Sequence, residues 1–123
     1  MTSLPDIQKA LQNVFKAHVP PLQVRKDTEH VFEVAGTKQA MQGKQKVDGY
    51  YFGSVVPKPK DIRLYYFPIY THATEFEWIS DELRKCLKGK SCFHIKKLDA
   101  DLHFEIEKMI KKGVDLYLKD NLI

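Results

Sequence analysis

At 123 residues and 14.3 kDa the chain has room for one domain built around one core. A chain of this size buries about two-thirds of the surface its unfolded form exposes, so the fold needs no disulfide or metal staple. With 43% hydrophobic and 29% charged residues, and 7 Phe, 6 Tyr and 1 Trp to fill a core, the composition excludes disordered, collagen-like and membrane classes.

The N-terminal segment pairs Ser3 with Asp6 at capping-box spacing and carries Leu4, Ile7, Leu11, Val14 and Phe15 at helical period, which predicts a first helix. Pro20-Pro21 supplies no backbone donors, so that helix should stop near His18. Short strands are expected over 22–25 and 30–36, the second with Phe32 and Val34 on one face and Val31, Glu33 and Ala35 on the other, ended or bent by Gly36. A weaker strand over 37–41 and the turn Gln42-Gly43-Lys44 predict a hairpin leading into Asp48-Gly49-Tyr50.

The clearest β signal is Tyr50 to Val56, then the loop Pro57-Lys58-Pro59-Lys60-Asp61, then Ile62 to Phe67 closed by Pro68, which reads as an antiparallel hairpin. Gly53 inside the first of these strands points to a bulge or to close approach of another chain segment. Residues 71–78 read as a loop or one helical turn. Ser80 caps a short helix with Leu83, Cys86 and Leu87 inward, and Gly89 falls where a helix C-terminus needs a left-handed residue. Lys90 to Lys96 reads as the last strand, with Cys92, His94 and Lys96 opposite Phe93 and Ile95. Asp99 or Asp101 starts the final and longest helix, whose inward stripe is Leu102, Ile106, Met109, Ile110, Gly113, Val114 and Tyr117. Strands and helices do not alternate as they do in a parallel sheet. The expected fold is therefore a single α+β domain over 1–123, two layers deep, a mostly antiparallel sheet with the N- and C-terminal helices packed on one face.

The formal charge of +4 hides a segmental pattern. Lys38, Lys44, Lys46, Lys58, Lys60 and Arg63 outnumber Asp48 and Asp61 in 38–63, while 64–83 carries only the acids Glu75, Glu77, Asp81 and Glu82. Arg84, Lys85, Lys88, Lys90, Lys96 and Lys97 then face no acid within 84–97. If the fold sets the two basic segments side by side, they make a positive face suited to phosphate, a carboxylate or nucleic acid; otherwise the lysines serve solubility. No apolar run approaches the roughly 18 residues of a spanning helix, and Met1 to Asp6 lacks the basic start and apolar stretch of an export signal. The expected location is the cytoplasm, where Cys86 and Cys92 stay reduced.

The five histidines, His18, His30, His72, His94 and His103, show no ligand spacing to one another or to cysteine. Cys86 reads as a small core residue, whereas Cys92 and His94 share a strand face that meets solvent or lines a cleft. Arg63, Tyr65 and Phe67 alternate against Ile62, Leu64 and Tyr66, and with Tyr50 or Tyr51 on the neighbouring strand they make a second cleft wall. Tyrosines beside an arginine suit an anionic or aromatic ligand; the same tyrosines also fill half-exposed strand positions. The acids Asp99, Asp101, Glu105 and Glu107 complement the dipole of the last helix. There is no glycine-rich phosphate loop, nucleophile elbow or ribonucleoprotein consensus.

The run Phe67-Pro68-Ile69-Tyr70-Thr71-His72, then 87–99 with Gly89-Lys90 ahead of the last strand, then Ile110-Lys111-Lys112-Gly113-Val114-Asp115-Leu116-Tyr117, resembles the YdhG-like family of small bacterial domains of unknown function. The likeness covers about 48–120 and departs over 30–45, where relatives carry a Tyr-Gly-Met-Pro-like segment and this chain has Ala35-Gly36-Thr37-Lys38-Gln39. The resemblance implies a compact α+β fold, and, through relatives described as frataxin-like, an intracellular iron chaperone as one alternative. A frataxin-type site wants an acidic surface, whereas the pI here is about 9.0.

The leading expectation is a non-enzymatic cytosolic domain that binds a ligand or partner on the open sheet face near Arg63, Tyr65, Cys92 and His94. No cofactor is expected under that reading. The iron alternative would use Glu75, Glu77, Asp99, Asp101 or the histidines. An RNA-binding accessory domain would use Lys58, Lys60 and Lys90, and a thiol enzyme would use Cys92.

Overall fold

Helix starts are set by side-chain oxygens. Ser3 Oγ accepts from the Asp6 amide at 3.5 Å, Ser80 Oγ from Leu83 at 3.1 Å and Asp99 Oδ1 from Leu102 at 2.8 Å, each satisfying a donor that the first turn leaves open. In the computed structural model, which describes residues 3–123, these caps open α1 (Leu4–Lys16), α3 (Asp81–Cys86) and α4 (Ala100–Lys119). Met1 and Thr2, the start of the segment read for an export signal, lie outside the described residues.

Between α1 and α3 run β1 (Gln23–Asp27), β2 (Phe32–Ala35), β3 (Ala40–Gln42), β4 (Gln45–Val47), β5 (Tyr51–Pro57) and β6 (Ile62–Tyr66), then α2 (Pro68–Thr71) and a 3₁₀ turn over Ala73–Phe76. β7 (Cys92–Ile95) precedes α4. The main sheet has the order β1-β2-β5-β6-β7 with every pair antiparallel, and β3 and β4 form a separate hairpin inserted between β2 and β5. Pro68 does more than close its strand: it occupies the first turn of α2, where its missing N–H is no loss.

α1 and α4 cover one face of the sheet, as the apolar stripes predict. Phe52 is the hub, its ring edge-on to Phe15 of α1 at 5.9 Å and to Tyr117 of α4 at 5.0 Å. Tyr66 lies fully buried beside it and donates its hydroxyl to the Met109 carbonyl at 2.5 Å. Phe32, Val34, Val55, Leu64, Phe93 and Ile95 fill the same interlayer space.

Two departures from the simple alternation matter for the site. Val34 pairs with Gly53 but Ala35 pairs with Tyr51, so Phe52 is an extra residue in β5. A Cβ on Gly53 would lie 2.7 Å from the Phe15 ring and 2.6 Å from the Tyr65 carbonyl oxygen, which is why glycine stands there. This bulge places Tyr51 on the same face as Ser54, with their hydroxyls 2.7 Å apart, and it buries Ala35. The second departure is at Gly89: α3 ends at Leu87 in extended conformation, so the left-handed Gly89 turns the chain into β7 instead of capping the helix. Leu87 and Lys88 then pair along the outer edge of β7. Among the described residues no helix is long and apolar enough to cross a membrane.

Candidate functional site

The face of the sheet opposite α1 and α4 carries a polar surface whose rows follow from strand register. Glu33, Ser54, Tyr65 and Cys92 lie side by side across β2, β5, β6 and β7, and Val56, Arg63 and His94 make the next row. All four ligand-site residues expected from sequence, Arg63, Tyr65, Cys92 and His94, are therefore neighbours on one face, Tyr65 opposite Cys92 and Arg63 opposite His94.

Asp61, which sequence reading left in a loop, organises one end of this face. It is 5% exposed, and its carboxylate accepts from Arg63 Nε at 2.8 Å while the other oxygen stands 3.6 Å from His94 Nδ1. That bond raises the Arg63 pKa further and fixes the guanidinium over the β6 surface. The Lys58 amide in turn donates to the Asp61 carbonyl at 2.9 Å, closing the β5–β6 loop.

Two adjoining clefts share Asp61. One, of about 260 Å³, is lined by Lys58, Pro59, Lys60 and Arg63. The other, of about 340 Å³, runs between α3 and the end of β7, with Lys85, Lys88, Lys96 and Lys97 around His94 and Cys86. The only other acid in either lining is Glu82. The end of the first basic segment thus meets the second, as the charge pattern required for a positive face. Lys38, Lys44 and Lys46 do not join it: they belong to the β3–β4 region, where Lys38 bonds Asn121 at 3.1 Å.

In the middle of the face burial governs the titrating groups. It pushes the Cys92 thiol above its ordinary value, although the Tyr65 hydroxyl and the Arg63 charge pull the other way. Burial likewise raises Tyr65 and, more strongly, Tyr51. Cys86 is raised by burial and then by Glu82. At neutral pH both thiols are protonated, the weakly nucleophilic form.

The far end of the face is aromatic. The Phe67 ring lies 5.7 Å from Tyr50, 5.7 Å from Tyr51 and 5.9 Å from Tyr70, and the Lys90 ammonium sits 5.2 Å over the Tyr70 ring.

The residues of the iron alternative fall in two places, the 3₁₀ turn and the start of α4. Glu75 lies in the 3₁₀ turn and its carbonyl accepts from Trp78 Nε1, Glu77 is exposed just beyond that turn, Asp99 caps α4, and Asp101 stands exposed in the first turn of α4. Among the described residues no three His, Cys, Asp or Glu side chains form a group able to hold a metal ion. Asp61, Ser54 and Glu33 are the members of the face that sequence reasoning missed; the loop position of Asp61 gave no signal, while Gly53 carried the signal for the bulge that aligns Tyr51 with Ser54. Comparison with protein-family models, with curated proteins and with solved structures finds no match.

Proposed function

We propose that this protein is a small cytosolic, non-enzymatic binding domain of the YdhG-like kind, holding an anionic ligand on the open sheet face at Arg63, Tyr65, Cys92 and His94. The observation that carries the reading is the Asp61 carboxylate, buried between Arg63 and His94 under a rim of lysines drawn from both basic segments. A buried acid that orients an arginine pre-organises it, so an incoming anion does not bear the cost of ordering a long side chain. Protonated thiols beside it support binding over thiol catalysis.

The test is a titration of the full chain with inorganic pyrophosphate, followed by amide resonances. Shifts confined to 58–65 and 92–97, with affinity reduced about tenfold by Arg63→Ala, are expected for loss of a charged hydrogen bond. Absence of shifts, or shifts only on the helical layer, overturns the proposal.

A further inference from the structure

We infer that the anionic ligand is a single strand of nucleic acid, laid along the open face with phosphates at the Lys58–Arg63 corner and bases on the aromatic end around Phe67. The inference rests on the anion-binding reading and adds to it the second half of the surface.

Arg63, Tyr65 and Phe67 follow one another at two-residue intervals on β6 and its first following residue, so one side-chain row leads from the cationic corner to the aromatic end. The distance from Arg63 to Phe67 is about 13 Å at the rise of an extended strand. A single small anion fills the corner and leaves the rings uncovered. A ligand that uses both ends must carry repeated negative charge together with flat, unpaired ring faces.

The aromatic end is built to receive such faces. Tyr70 is 49% exposed and rests against the half-buried Phe67, which packs in turn on Tyr50, so one exposed ring is backed by partly covered ones. Aromatic platforms of this kind accept any base, since every base has a π-face. The cations that flank the row are uncommitted: among the described residues Lys58, Lys60 and Lys90 have no carboxylate within ion-pair distance, and Lys90 rests on the Tyr70 ring, where a phosphate can draw it away. A duplex keeps its bases stacked inside and offers the face only phosphates. An acidic peptide supplies charge without base stacking.

The experiment is a fluorescence-anisotropy titration of the full chain with labelled oligonucleotides of about 12 residues, RNA and DNA, each single-stranded and as a duplex, with polyglutamate as competitor. The single strands are expected to bind about tenfold or more tighter than the duplexes and to resist polyglutamate. Tyr70→Ala is expected to weaken the single strands about tenfold, by loss of one stacked base. The Lys58→Ala/Lys60→Ala pair is expected to flatten the slope of log affinity against log salt by about 1.4. The Lys9→Ala/Lys16→Ala pair, an equal loss of charge at exposed positions of α1, should leave the slope unchanged. Should Tyr70→Ala fail to fold, as reported by the single Trp78, Lys90→Ala tests the same end. Equal binding of strand and duplex, displacement by polyglutamate, or indifference to the aromatic-end variants overturns the inference. If pyrophosphate still shifts the Arg63 corner, only the nucleic-acid inference falls; if it does not, the anion-binding reading falls with it.

Discussion

Asp61 and Arg63, two residues apart on the same strand entry, face each other as a one-point ion pair, with Asp61 Oδ1 2.8 Å from Arg63 Nε. Arg63 binds Asp61 through Nε, the nitrogen nearest its stem. The second Asp61 oxygen is turned to His94. One buried carboxylate therefore touches both side chains of the β6–β7 row, the Arg63 guanidinium and the His94 ring.

Asp61→Asn tests that arrangement with little change of shape. The variant loses the charged acceptor for Arg63 Nε, so the slowly exchanging Nε–H resonance expected of the wild type should disappear. The urea midpoint should fall only modestly, a partly exposed pair being worth less than a fully buried one. A protected Nε–H that survives in the variant would show that Asp61 does not hold Arg63.

Tyr66 and Gly113 make a second testable pair, in the helical layer. The Tyr66 hydroxyl donates to the Met109 carbonyl, and a Cβ on Gly113 would collide with that hydroxyl and approach Pro68 Cγ to 3.1 Å. Tyr66→Phe should cost about 1 kcal/mol. Gly113→Ala should destabilise the wild type despite the roughly 1 kcal/mol advantage of alanine in a helix, and should cost less in the Tyr66→Phe background, where the oxygen is gone. Chemical denaturation of all four proteins measures the coupling; additive losses would mean that the hydroxyl does not explain the glycine.

The α+β layering was legible because the stripe Ile7, Leu11, Val14 and Phe15 and the stripe Leu102, Ile106 and Met109 each repeat at the helical period and end in recognisable caps. Alternation likewise sorted Arg63 and Tyr65 from Leu64, and Cys92 and His94 from Phe93. What alternation does not encode is register. The pairing of Arg63 with His94 depends on how the chain between β6 and β7 folds, through α2, the 3₁₀ turn and α3, and 71–78 was the segment with the weakest local signal. Asp61 was illegible for the same kind of reason: its buried carboxylate meets Arg63 and the distant His94, and its Pro- and Lys-rich surroundings in sequence carry no mark of that. Glu105 shows the limit of dipole arguments, because its carboxylate accepts from both the Ser80 amide and hydroxyl, a tie between α4 and the start of α3.

Cysteine reactivity separates binding from thiol chemistry. Burial, as the leading cause, raises both Cys86 and Cys92 above the ordinary value of 9.0. Alkylation by iodoacetamide should be slow at both positions near neutral pH and should accelerate with rising pH through the alkaline range, following the thiolate fraction. Mass spectrometry of the modified peptides reads the two sites separately. Rapid, selective labelling of Cys92 near pH 7 would restore the enzymatic alternative.

Alkaline stability follows from the buried phenols. Tyr51, Tyr66 and Tyr117 all have pKa values raised above the ordinary 10.0, in each case mainly by burial. Folding therefore favours their protonated forms, so their contribution to stability is fully present below about pH 10 and is lost as pH rises above it. Tyr117 donates to the Tyr51 carbonyl, so the two phenols sit on one junction between α4 and the bulged strand. Tyr51, Tyr66 and Tyr117 should ionise only as the helical circular dichroism collapses. Tyr51→Phe should remove one phenol from the late step. Reversible ionisation of every tyrosine in a single phase, with the helix signal intact, would place these hydroxyls in contact with solvent and contradict the bulge geometry that buries Tyr51 against Ser54.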